Sequence, residues 1–76
     1  MIHYEKSINQ AKKAAKEFGA EYQANPGSDR MEYLDSIAFY VREGVHFWKD
    51  LNQSEKIVLI NEFNLGVEAE KNINNL

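Results

Sequence analysis

Apolar residues recur along this chain at alternating spacings of three and four, which is the spacing of one side of an α-helix. Two such stripes follow one another, and their members are Tyr4, Ile8, Ala11, Ala15, Phe18 and Tyr22, then Met31, Leu34, Ala38, Val41, Val45 and Trp48. A third apolar face is formed by Ile57, Leu59, Ile60, Phe63 and Val67. The pattern predicts an all-α protein with three helices.

Local signals separate the first two helices. Pro26 disfavours helical geometry in the residue before it, and Gly27 accepts the positive φ of a turn. Ser28 is expected to cap the second helix, with Asp29 in its first turn. The predicted fold is a small three-helix bundle that forms a single domain over residues 1–76, with helices at about 4–24, 29–50 and 53–72.

The third helix has its own start signal. Asn52 is expected to cap it, and Glu55, three residues later, can bond back to the Asn52 amide. No glycine or proline marks the join at residues 50–53, so a tight turn and a kink are both compatible with the sequence. The second helix carries a further apolar stripe beside its first, at Tyr33, Ile37, Tyr40 and Phe47. A helix that is apolar on two sides is buried on two sides, so we expect helix 2 to be central.

Three glycines fall inside predicted helices, where each costs about 1 kcal/mol relative to alanine. They are Gly19, Gly44 and Gly66. We interpret them chiefly as points where two helices cross closely, and less as places where a ligand approaches the backbone.

Composition narrows the class of protein. The chain has 76 residues, 43% of them hydrophobic and 28% charged, with a net charge of −3 and no cysteine. We expect a cytoplasmic protein, because no apolar run is long enough to span a bilayer and no signal segment is recognisable. A core this small favours self-association, so we also predict a homodimer. The negative charge argues against a protein that chiefly neutralises phosphates.

Candidate chemistry is sparse. Neither a nucleophile beside a base nor a phosphate-binding glycine loop is recognisable, so we expect no enzyme activity, no catalytic residue and no cofactor. One alternative is a metal-binding, ferritin-like homodimer. Glu43 and His46 have the Glu-x-x-His spacing of di-iron bundles, and Asp50 follows one turn later. A single chain supplies only one such pair, so a partly exposed histidine beside acids is the favoured interpretation.

A second alternative is weak nucleic-acid binding through the lysines of helix 1. Lys6, Lys12, Lys13 and Lys16 would form a basic strip on one side of that helix. Nucleic-acid readers usually add arginine to such a strip, and arginine occurs here only at Arg30 and Arg42. A solvated helix face explains the lysines better, and nucleic acid is not the expected partner.

Aromatic content is the stronger functional signal. Large rings crowd into the second and third helices, more than a core of this size easily hides: Tyr33, Phe39, Tyr40, Phe47, Trp48 and Phe63. Exposed aromatics clustered on a helix are typical of protein interfaces. We therefore predict a partner-binding surface on helix 2 and its junction with helix 3, formed by Tyr40, Phe47, Trp48 and Leu51. The alternative is that all four are core residues.

Two segments, within residues 37–45 and 51–68, resemble the AsiA family of phage anti-sigma factors. The matching runs are Leu51-Asn52-Gln53-Ser54-Glu55-Lys56, Leu59-Ile60-Asn61-Glu62-Phe63-Asn64, Gly66, Glu68, Ile37-Ala38-Phe39 and Gly44-Val45. The first helix shows no match, so no binding residue is transferred. The resemblance implies a small phage or mobile-element regulator or inhibitor that docks on a host protein. Composition and resemblance together predict a non-enzymatic protein-interaction module.

Overall fold

Three α-helices make up the fold in the computed structural model, which describes residues 5–74. They are α1 (Ile8–Ala24), α2 (Arg30–Phe39) and α3 (Gln53–Asn74), with a short 3₁₀ helix (Trp48–Asp50) between α2 and α3. No strand occurs in this part of the chain. The prediction of a small all-α three-helix bundle is confirmed.

Helix α1 begins later than the predicted residue 4, which lies outside the described residues. Residues 5–7 are not helical, and Ser7 caps the helix by accepting the Gln10 backbone N–H at 3.2 Å. A serine side chain satisfies one of the amides that have no partner within the first turn. The helix ends at Ala24 as predicted, and Gly27 takes a φ of 93° in the turn that follows.

The sequence predicts Ser28 as the cap of α2, but the residue that caps this helix is Asp29. Asp29 Oδ1 accepts the Met31 backbone N–H at 3.0 Å. The Ser28 hydroxyl instead donates to the backbone carbonyl of Asn25 at 2.7 Å, within the preceding turn. Both residue types are good caps, and the turn geometry decided which one reached the free amides.

Helix α2 ends at Phe39, so the prediction that it continues to Asp50 was wrong. Its last turn tightens, since the N–H groups of Tyr40 and Val41 donate to carbonyls three residues earlier at 3.0 and 3.1 Å. The Tyr40 carbonyl accepts a hydrogen bond from the Ser7 N–H at 3.0 Å. Four residues later, Gly44 has a φ of 86°. Gly44 therefore serves a turn and not a helix crossing, because L side chains disfavour that conformation.

A distinct break separates the 3₁₀ helix from α3. The join at residues 50–53 is therefore a turn and not a kink. Leu51 is extended, with φ −80° and ψ 151°. The predicted cap of α3 is confirmed: Asn52 Oδ1 accepts the Glu55 N–H at 2.8 Å, and Glu55 Oε1 accepts the Asn52 N–H at 3.0 Å. This reciprocal pair starts α3 at Gln53. The Arg42 guanidinium also pairs with the Glu55 carboxylate, which ties the loop after α2 to α3.

Packing places α1 at the centre of the bundle, in contrast to the predicted central helix 2. Helix α1 contacts both α3 and α2, and its contact with α3 is by far the larger. Two glycines permit the close contact between α1 and α3. A Cβ at Gly19 would overlap the carbonyl oxygen of Phe63, and a Cβ at Gly66 would overlap that of Lys16. The two helices run antiparallel at this crossing, and the close-crossing interpretation holds for these two glycines.

The hydrophobic core contains most members of the predicted stripes. Its buried members are Ala11, Ala15, Leu34, Ile37, Ala38, Val41, Val45, Leu51, Leu59 and Phe63. Val41 and Val45 are buried although they lie outside a helix, so the apolar pattern identified burial correctly where it misjudged conformation. Helices α2 and α3 make few direct backbone contacts with each other. That separation leaves a groove between them.

Candidate partner-binding surfaces

The four residues predicted to bind a partner do not form one surface. Phe47 and Tyr40 are exposed, at 52% and 37% of their surface, and Trp48 is half-buried against the core. Leu51 lies in the core at 5% exposure, because the extended segment after the 3₁₀ helix directs it inward, and it forms no part of any surface. Tyr40 neighbours Phe39 at the end of α2, whereas Trp48 faces the gap between α2 and α3.

The gap between α2 and α3 is an apolar groove of about 370 Å³, which we call the α2–α3 groove. Its lining residues come from α2, the 3₁₀ helix and α3, and they are Arg30, Met31, Leu34, Trp48, Gln53, Lys56, Ile57 and Ile60. Met31 on α2 and Ile57 on α3 both line this groove, and each has 50% of its surface exposed. The groove therefore offers apolar surface that residues 5–74 leave uncovered.

Asp35 positions Trp48 in this groove. The Trp48 backbone N–H donates to Asp35 Oδ1 at 2.8 Å in a partly buried contact between residues thirteen positions apart. A carboxylate that accepts a backbone N–H makes one of the stronger hydrogen bonds in proteins. The bond fixes the start of the 3₁₀ helix against α2, so the indole lies at a defined place on the groove wall.

A second exposed apolar area lies at the end of α2, and we call it the Phe39–Tyr40 patch. Phe39 and Tyr40 are 43% and 37% exposed, with their rings edge to face at 6.2 Å. The Lys6 ammonium lies 3.6 Å from the centre of the Phe39 ring and 3.7 Å from a Glu43 carboxylate oxygen. The chain's own N-terminal segment thus already occupies part of this patch.

The metal site suggested by Glu43 and His46 has no support in the geometry. The two residues lie in the irregular segment after α2, so they do not share a helical face. Glu43 pairs with Lys6, and the His46 ring lies tilted against the Phe39 ring, with 5.8 Å between their centres. Among residues 5–74, no three His, Asp or Glu side chains come together as a metal site would require.

The four lysines of the predicted basic strip divide between two places, and Lys6 lies before the start of α1. Lys12, Lys13 and Lys16 line an open groove of about 760 Å³ between α1 and α3, but Glu17 and Glu62 line it as well. Lys6 points to the Phe39–Tyr40 patch instead. The predicted strip of four lysines is therefore interrupted, and the carboxylates reduce the positive potential that a nucleic-acid backbone would need.

Met31 and Ile57 are exposed although sequence reasoning placed both on apolar helix faces, and so is Ile8 of the first stripe. Periodicity indicates which side of a helix is apolar, but it does not indicate whether another element covers that side. The excess of large apolar residues over what a chain of this size can bury was the available signal.

No helix among the described residues has both the length and the apolarity needed to cross a membrane. Comparisons of the chain with protein-family models, curated proteins and solved structures give no match.

Proposed function

We propose that this protein is a non-enzymatic interaction module that docks the α2–α3 groove on a larger protein. The observation that carries the proposal is the pair of half-exposed apolar side chains, Met31 and Ile57, on either side of a groove that also contains Trp48. Interfaces draw much of their binding energy from a few aromatic and large apolar residues in such clefts. A helix-lined groove is also a recurring form of peptide recognition.

The resemblance to the AsiA family supports a more specific proposal, a phage or mobile-element regulator that inhibits a host protein by binding it. The matching segments include Asn52 and Glu55, which start α3, and Ile37 and Ala38, which belong to the core. They support similarity of a helical scaffold, and the groove supplies the contact surface.

Affinity purification from extracts of the source cell tests the proposal, with three forms of the protein as bait. Ile57→Glu places a charge in the groove, and Leu65→Glu places the same charge elsewhere on α3. Leu65 is 55% exposed and Ile57 50%, so the two changes are matched in helix and exposure. We expect the unaltered protein and Leu65→Glu to retain one predominant larger protein that Ile57→Glu loses. Retention of the same proteins by all three forms, or of none, would contradict the proposal.

A further inference from the structure

The charge of the α2–α3 groove is opposite in sign to that of the whole chain. The protein carries −3 overall, yet among the residues that the structure describes the only charged side chains lining the groove are Arg30 and Lys56. No carboxylate among the described residues lies within 4.0 Å of either cation. The Arg30 guanidinium lies 5.6 Å from the centre of the Phe63 ring. Both cations remain available to an incoming partner.

The apolar lining has the arrangement that receives a helix. Met31 on α2 and Ile57 on α3 are each half-exposed, and Ile60 lies three residues after Ile57 on the same side of α3. Leu34 also lines the groove but belongs to the core, with 4% of its surface exposed. An apolar channel between two helices can receive apolar side chains that a third helix presents at helical spacing. The positive side chains lie beside the channel, where they would meet the flank of such a helix.

A second copy of this chain is a poorer occupant. In a twofold dimer each subunit uses the same surface, so a groove-to-groove contact would bring Arg30 and Lys56 of one copy towards the same cations of the other. Like charges placed together across an interface disfavour it.

From this arrangement we infer that the groove binds an amphipathic helix of the partner protein whose apolar face is flanked by aspartate or glutamate. This inference rests on the proposed function and names the chemistry of the partner. Apolar side chains fill the channel beside Trp48, and the acidic flank pairs with Arg30 and Lys56. Charge pairs at the edge of an interface contribute mainly selectivity. A helix of equal hydrophobicity with basic flanks is therefore expected to bind the groove more weakly than one with acidic flanks.

Two synthetic peptides of about 15 residues test the inference, each with leucines at helical spacing. One has glutamate and the other lysine at the flanking positions, and neither contains tryptophan. Trp48 is the only tryptophan of the protein, so its fluorescence reports on the groove. We expect the acidic peptide to shift the Trp48 emission and to bind at least about tenfold more tightly than the basic peptide at low salt, with a smaller ratio at high salt.

Charge-reversed variants locate the effect. Arg30→Glu with Lys56→Glu is expected to reverse the order of the two peptides. Lys12→Glu with Lys13→Glu makes the same change in net charge outside the groove and is expected to leave the order intact. Circular dichroism checks the fold of each variant. If the protein with Arg30→Glu and Lys56→Glu unfolds, Arg30→Gln with Lys56→Gln replaces it. That neutral pair is expected to abolish the preference for the acidic peptide.

Three results would overturn the inference: equal affinity for the two peptides, an equal effect of both charge-reversed pairs, or no Trp48 response to either peptide. A fourth contradicting result would come from sedimentation equilibrium. If the unaltered protein formed a dimer that Ile57→Glu dissociated, a second copy of the chain would occupy the groove. These failures are distinguishable from failure of the proposed function. A partner captured from extract in an Ile57-dependent manner would still establish docking at the groove, with a different partner chemistry.

Discussion

Replacing Gly66 with alanine tests the close contact between α1 and α3. The new Cβ would overlap the carbonyl oxygen of Lys16 and lie 2.9 Å from both the Lys16 carbonyl carbon and the Ala20 amide nitrogen. These are backbone atoms of a helix, so no side-chain rotation relieves the overlap. The two helices must separate along the largest contact in the bundle.

The magnitude follows from two opposing terms. Alanine gains about 1 kcal/mol over glycine in a helix interior. Forcing an extra methyl group into a close-packed contact costs about 1–3 kcal/mol, backbone shifts included, and occasionally more. An overlap with the backbone atoms of a helix belongs in the upper part of that range. We therefore expect Gly66→Ala to lower the free energy of unfolding by at least about 1 kcal/mol, and to lower Tm by at least about 4–8 °C in a domain of this size.

Urea denaturation followed by circular dichroism measures this change. Asn64→Ala is the matched control, because Asn64 is exposed on the same helix. That substitution is expected to raise stability by up to about 0.7 kcal/mol through helix propensity alone. If Gly66→Ala were as stable as Asn64→Ala, the close approach of α1 and α3 would be refuted.

Three further substitutions test local features of the fold in the same assay. Gly44→Ala meets no atom within 4 Å but must keep a φ of 86°, so we expect a loss of about 1 kcal/mol from backbone strain alone; a gain in stability would contradict that turn. Asn52→Ala removes the acceptor for the Glu55 N–H and should cost about 0.5–2 kcal/mol, and an unchanged urea midpoint would be evidence against the cap. Asp35→Ala removes the acceptor for the Trp48 N–H and should cost about 1.5–3 kcal/mol while shifting the Trp48 emission, and an unaltered spectrum would exclude the positioning role.

Features set by neighbouring residues were predictable from the sequence. The Asn52 and Glu55 cap needs only residues three positions apart, and it forms as predicted. The choice between Ser28 and Asp29 was not predictable, because both side chains suit a helix start and the preceding turn determines which one reaches the amides. Sequence signals resolve local chemistry better than they resolve competition between equivalent neighbours.

The end of α2 and the shape of the groove depended on contacts between distant parts of the chain. Val41 and Val45 continue the apolar stripe and are buried, but the pattern reports burial and not conformation. At the end of α2 the Ser7 N–H donates to the Tyr40 carbonyl, and the chain that follows is held against α2 by the Trp48 N–H, which donates to Asp35. Such tertiary bonds override propensity and leave no mark in a short sequence window.

The same reason limited the prediction of the site. An excess of aromatic residues correctly indicated that some would be exposed, and Phe39, Tyr40 and Phe47 are. Their division between separate surfaces followed from the end of α2, and the exposure of Met31 and Ile57 followed from the separation of α2 and α3. Neither could be deduced from periodicity.

Photo-crosslinking from inside the groove tests the central claim most directly. A photoreactive phenylalanine analogue would replace Ile57 in the source cell, with Leu65 replaced in a parallel strain as the matched exposed position on α3. Docking at the α2–α3 groove predicts that position 57 crosslinks to one larger protein and that position 65 does not. Equal crosslinking from both positions would contradict this claim. So would a result in which the sole crosslinked product from position 57 is a second copy of this chain.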